Sequence, residues 1–264
     1  MLAMMLSAMN VRSNDILSLK KTPHIILYSL LLNYVVLGGL FLLMARFLID
    51  DPEIWTGFVI LAAVPPAVAV TPFSHSLGGN TRFALVGMTA CYIAAIAIIP
   101  VIMLTVLNVS YFDPVRLIVI LGELVVGPIL VSRVLLLLNT ERYIAPWRGT
   151  TLNWSFFLVI FTLIGLNRHA FLTDFGVLFR IGIIAFTGTF VLGYLIELVS
   201  RVAGITRETM ISAILMGTMK NYGLAGGILL SLFSERSTIP PSVCVVFGVL
   251  IVVWLGFRYR KYGA

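Results

Sequence analysis

Apolar residues in this chain neither alternate nor form a stripe along a polar helix. They run on for the length of a bilayer crossing and stop at charged or turn residues. A helix needs about 20 such residues to span hydrocarbon, and only helices or closed barrels satisfy their backbone groups there. Barrel strands would alternate, so the runs predict helices. Runs near 24–49, 54–73, 83–107, 114–138, 151–166, 171–200, 208–233 and 239–257 make eight spans, after a short apolar stub from Met1 to Asn10. The joints are short, so neighbouring helices run antiparallel and no soluble domain is expected.

Two runs are interrupted. Ala63 to Asn80 reads AVPPAVAVTPFSHSLGGN. Pro65, Pro66 and Pro72 each remove a backbone donor and clash with the preceding turn, which predicts a broken helix whose freed groups face a cavity; a kinked packing helix is the plainer alternative. Met216 to Gly227, MGTMKNYGLAGG, carries Lys220, Asn221 and the flexible Gly217, Gly223, Gly226 and Gly227 in mid-span. The stretch 24–107 starts on one side of the membrane and 171–257 on the other. Each reads as long helix, interrupted span, long helix. They are therefore inverted repeats, and interrupted spans at matching places in such repeats point to a transporter's binding site.

Composition agrees: 60% of residues are hydrophobic and 11% charged, against about 25% charged in soluble domains. A soluble enzyme is excluded. The net charge of +7 does not point to nucleic acid, because the basic residues are scattered over the joints. Arg12, Lys20, Lys21, Arg82, Arg133, Arg142, Arg148, Arg201, Arg207, Arg258, Arg260 and Lys261 fall on one side, and Arg46, Arg116, Arg168 and Arg236 on the other. The first side is expected to be cytoplasmic and to hold the C-terminus of a multi-pass plasma-membrane protein. Cys91 and Cys244 lie within spans and suggest neither a disulfide framework nor a metal site. The apolar start lacks a basic leader and a clear cleavage site, which argues against a signal peptide.

The candidate chemistry is sparse. Lys220 at mid-span costs about 2.5–3.5 kcal/mol on insertion scales, so it should face the bundle interior and find a partner. Glu123, in LGELVVGP, is an acid deep within a span; pairing with Lys220 or Arg180, a proton or cavity role, and an interfacial position are the readings open to it. Arg180 lies near the outer end of its helix, where it can reach the interface. Asn33 and Asn153 can join helices as readily as hold a ligand. His24, His75 and His169 sit at span ends without ligand spacing. No nucleophile triad, phosphate loop or HExxH stands out. Neither catalysis nor a cofactor is expected.

Four segments together resemble the bile acid:sodium symporter family of secondary transporters: KTPHIILYSLLLNYVVL, AAVPPAVAVTPFSHSLGGNTRFAL, GPILVSRVL and LGYLIELVSRVAGITRETMISAILMGTMKNYGLAGGILLSLF. The resemblance spans nearly the whole chain and is most specific in the last segment. It implies ten helices in two inverted repeats of five, with a core built on two crossing broken helices and a panel that moves against it. On that frame 1–22 is the remnant of a preceding helix and a cytoplasmic loop. First-repeat core helices occupy 24–107, panel helices 114–166, second-repeat core helices 171–257, and a cytoplasmic tail 258–264. About eight of the ten helices are then present, and the chain is expected to be short by about one and a half helices at its start.

The resemblance also implies where sodium would bind. Relatives that use it place an acid and an amide one turn apart on the second broken helix, where this chain has Met216 and Lys220. Oxygen-bearing positions of the first broken helix and the next span read Val70, Thr71, Ala84 and Met88. Only Asn33, Thr71 and Asn221 keep plausible oxygen ligands, which a hard cation requires. The sequence thus predicts a secondary transporter of a small organic anion, sodium-independent, with Lys220 in place of the cation and protons as a possible coupling ion. Asn33, Thr71, Lys220, Asn221 and Glu123 are its candidate binding residues, and Pro65, Pro66, Pro72 and Gly223 its broken-helix backbone. A sodium-coupled symporter, an arsenite-type permease and a nontransporting membrane subunit are the competing expectations.

Overall fold

The computed structural model describes residues 5, 6, 9, 22–107, 114–138 and 140–259. The expected remnant over 1–22 and the tail over 258–264 lie almost wholly outside them.

Helix α1, Pro23–Leu48, is π-helical over Leu31–Gly38. Asp51 caps α2 (Pro52–Ala63), its side chain accepting from the Glu53 and Ile54 N–H groups. That helix stops at Val64, which is extended, because a residue before proline is pushed out of the helical region. The chain resumes as α3, Val70–Ser76, and turns through Gly78 at φ 71°, a conformation that favours glycine. Helix α4, Thr81–Val106, is capped by Asn80. Next come α5 over 114–137, with a π-turn at Gly122–Val126, α6 at Glu141–Leu166 and the short α7 at Arg168–Thr173.

The second half repeats the first. Helix α8, Phe175–Val202, has a π-turn at Thr187–Val191. Helix α9, Arg207–Thr218, is capped by Thr206, and α10, Tyr222–Leu232, by Asn221. A 3-10 turn, Arg236–Thr238, enters α11, Ile239–Tyr259. Among the described residues, five helices, Pro23–Leu48, Thr81–Val106, Arg142–Leu166, Phe175–Val202 and Arg236–Tyr259, are each long and apolar enough to cross a membrane. Exposed Leu27, Phe47, Leu104, Val202 and Phe257 would be a liability in water and suit lipid. The protein is an all-α, multi-pass membrane protein.

Two expectations about boundaries are corrected. The span expected from 151 begins at Glu141, because hydropathy sees only the apolar part of a helix whose first turns are charged. The run expected from 171 is divided at Asp174, between α7 and α8.

The repeats interlock at both ends of the bundle. At one end, the Asn80 N–H donates to the Glu208 carbonyl at 2.8 Å, Asn80 Nδ2 to Thr209 Oγ1 at 3.0 Å, and Ser74 meets Ser212 at 2.6 Å. At the other end, Arg236 binds Asp51 at 2.8 Å and Asp174 at 3.2 Å. Between these locks α2 is buried from Gly57 to Ala63 and α9 from Met210 to Thr218.

Candidate functional site: the crossing of two broken helices

A helix leaves its last carbonyls unpartnered, and a half-helix ending inside a bilayer has no water to satisfy them. Here each half-helix is completed by a side chain from elsewhere. The Lys220 ammonium donates to the Ala62 carbonyl at 2.9 Å and the Val64 carbonyl at 3.0 Å, both at the end of α2, and to Asn33 Oδ1 at 2.9 Å. Three N–H donors thus meet three acceptors. The cation also complements the negative end of α2. Its face is the Tyr34 ring, 4.8 Å away, and Lys220 has 0% of its surface exposed.

Asn33 does the same for α9. Its Nδ2 donates to the Met216 carbonyl at 3.1 Å and the Met219 carbonyl at 3.3 Å, so one amide spans the helix end and also receives the lysine. The π-turn carries Asn33, and such turns recur at functional sites. At its end, a β-carbon on Gly38 would come within 3.0 Å of the Ala62 carbonyl oxygen, so glycine admits the end of α2. The two breaks also join directly, the Asn221 N–H donating to the Pro65 carbonyl at 2.8 Å.

Other expected residues are distributed less simply. Asn221 lies at the crossing, but its side chain caps Leu224 N–H and donates to Tyr92 at 2.7 Å. Thr71 is buried and donates to Met88 Sδ at 3.7 Å, away from the lysine cage. Pro65 and Pro66 occupy the break, whereas Pro72 lies in the first turn of α3, where a missing N–H costs little. Gly223 lies just past the break, in the first turn of α10, where a β-carbon would press on Val159.

Pairing of Glu123 with Lys220 or Arg180 is also corrected. Lys220 is held by neutral oxygens, Arg180 binds Asp50 at 2.9 Å, and Glu123 is exposed on α5, beside an open groove with Val119 and Val131. Sequence reasoning missed Tyr34 and Tyr92. For Tyr34 the signal is a phenol in mid-span next to the candidate Asn33; Tyr92 has no such neighbour in the sequence.

Beside the crossing lies a cavity of about 170 Å³. The break residues Ala67, Val68 and Ala69 and the start of α10 form one wall; Leu124 of α5 and Phe156, Val159 and Ile160 of α6 form the other. It is small against the roughly 300–1,000 Å³ of common ligand sites and mostly apolar.

Crossed, broken helices from two inverted repeats, with a cavity at their meeting point, define an all-α secondary-transporter fold. The chain belongs to the Sodium Bile acid symporter family, whose family model matches residues 1–164. That match ends within α6, so it takes in the first broken helix and Asn33 and stops before Lys220. No curated protein matches the chain. Membership makes this a membrane transporter with a small-molecule substrate.

Proposed function

We propose that the protein moves a small organic anion across the plasma membrane without sodium, with Lys220 as a built-in cation at the crossing. The observation that carries this reading is the cage of Asn33 Oδ1 and the Ala62 and Val64 carbonyls around the ammonium. Oxygens so arranged suit a hard cation, and here a covalently tethered one takes all three. The other positions that the family resemblance links to sodium, Val70, Ala84, Met88 and Met216, present carbon and sulfur and are buried.

Saturated by these oxygens, Lys220 acts on the substrate through its field rather than by a direct hydrogen bond. The positive end of α10 faces the same cavity. Apolar walls favour a monoanion with a compact hydrocarbon or aromatic body. Asn221 at the cavity edge supplies polarity, and Glu123, outside the cage and cavity, is left the proton role. On this reading the arginine-rich end with the C-terminus is cytoplasmic.

Uptake of labelled short-chain and aromatic carboxylates into proteoliposomes tests the proposal. Rates should hold when potassium replaces sodium at constant pH; loss of uptake would establish sodium coupling. A proton gradient imposed without sodium separates proton coupling from simple equilibration. Filling the cavity with Val159→Trp should abolish uptake while leaving the protein folded.

A further inference from the structure

At the end of the bundle that carries the C-terminus, Glu197 of α8 is almost completely buried, its side chain 6% exposed. A single oxygen, Oε1, accepts from Arg201 at 2.6 Å and from Arg258 of α11 at 2.8 Å. The two guanidiniums are therefore held side by side, 61% and 36% exposed. Below them a groove of about 200 Å³ runs between α8 and α11, lined by Phe190, Tyr194, Ile214, Ile251, Trp254 and Leu255. Tyr194 and Trp254 are half exposed at its rim, as aromatic residues are at membrane interfaces.

Neutralising helix dipoles explains a cation in the last turn of each helix. It does not explain why a carboxylate is buried to clamp both cations together over an apolar groove. From this juxtaposition we infer that the groove is a binding site selective for one anionic phospholipid, an acyl chain lying along the exposed Tyr194 and Trp254 and the phosphate on Arg201 and Arg258. The trio carries net positive charge, and each guanidinium has up to five N–H donors, so donors remain beyond those given to Glu197. A free inorganic anion would not need the groove, whose rim carries the exposed Tyr194 and Trp254.

The test is native mass spectrometry of the full chain exchanged into equal amounts of phosphatidylglycerol and phosphatidylcholine with matched acyl chains. Wild type should retain phosphatidylglycerol preferentially. Arg201→Gln and Arg258→Gln should each cut that enrichment about five-fold, while Arg180→Gln, at the opposite end, should leave it unchanged. If the variants do not fold, wild type still decides: enrichment should fall as ionic strength rises, since half-exposed charges are screened over about 10 Å at 0.1 M salt. Equal retention of both lipids, enrichment indifferent to salt, or its complete loss to millimolar inorganic phosphate would each overturn the inference.

Discussion

On the proposed function, replacing Lys220 with alanine should convert a sodium-indifferent protein into a sodium-responsive one. The substitution strands three acceptors, Asn33 Oδ1 and the carbonyls of Ala62 and Val64. Hydrogen bonds between membrane helices average about 0.6 kcal/mol, whereas a buried acceptor left without a partner costs about 1–3 kcal/mol. Three of them bracket the loss between roughly 2 and 9 kcal/mol. Removing the lysine also removes the desolvation penalty of a buried ion, several kcal/mol. The net destabilisation should therefore lie near the lower end, about 2–4 kcal/mol.

The vacated cage keeps its three oxygens. A sodium ion at ten times its dissociation constant would restore about 1.4 kcal/mol by mass action. The assay is thermal unfolding in detergent, with sodium chloride titrated against choline chloride at constant ionic strength. Wild type should give coincident curves, and Lys220→Ala should start lower and recover with sodium. Uptake in the variant should acquire the same dependence. A variant as stable as wild type in choline, or one that sodium does not help, would refute the idea that the ammonium occupies a cation's place.

Three further outcomes follow from contacts elsewhere. Asn33→Leu removes the amide that completes α9 and one partner of Lys220, so it should cost about 2–5 kcal/mol and abolish uptake, both measurable on purified protein. At Gly57 a β-carbon would land on the Ser237 carbonyl oxygen, whereas Gly149 has open space around it; Gly57→Ala should destabilise by about 1–3 kcal/mol and Gly149→Ala should be nearly neutral in the same melt. For Asp51, partial burial works against the carboxylate, but the Arg236 hydrogen bond and the Glu53 and Ile54 N–H groups outweigh it and hold its pKa below the ordinary value. A depressed carboxylate stabilises above its unfolded pKa, about 3.9, and that contribution fades as pH falls through the folded value. Acid titration of stability should therefore show a steeper low-pH limb in wild type than in Asp51→Asn, which retains a capping side chain.

Much of this architecture is legible in the sequence because lipid is a severe solvent. It demands long apolar runs, and it makes a mid-span lysine or a proline pair conspicuous. Hence α1, α4, α8, α11 and both interruptions can be read from pattern alone. The geometry of the interruptions cannot. Pro72 and Gly223 look like breaks but lie just inside the next half-helix, because proline and glycine are tolerated in a first turn as well as between helices. Lys220 and Asn33 can each be suspected singly, yet their meeting depends on a contact 187 residues apart in the chain. Two of the cage's three oxygens are also invisible to residue type, since they are backbone carbonyls of an alanine and a valine. Glu123 misleads for the opposite reason: a carboxylate in a span suggests a buried partner, but burial depends on which face of α5 it occupies.

Within the proposed function, a lysine at this crossing divides two tasks that a bound sodium ion performs together. Sodium entering such a site would hold the ends of the half-helices and would also bring the energy of its own gradient. A tethered ammonium keeps the first task, since it satisfies α2 and, through Asn33, ties that helix to the end of α9. It gives up the second, because a covalent cation neither arrives nor leaves. Transport then runs down the substrate's own gradient, or by exchange of one anion for another, unless the lysine itself sheds a proton during the cycle. Proton loss would leave an amine with two donors facing three acceptors, one of which would need a new partner or would have to move away. Proton coupling through the lysine, rather than through Glu123, thus requires the cage to open in one state of the cycle, whereas equilibration allows it to stay closed throughout. Hydrogen exchange at the crossing, in the presence and absence of a pH gradient, would tell the two apart.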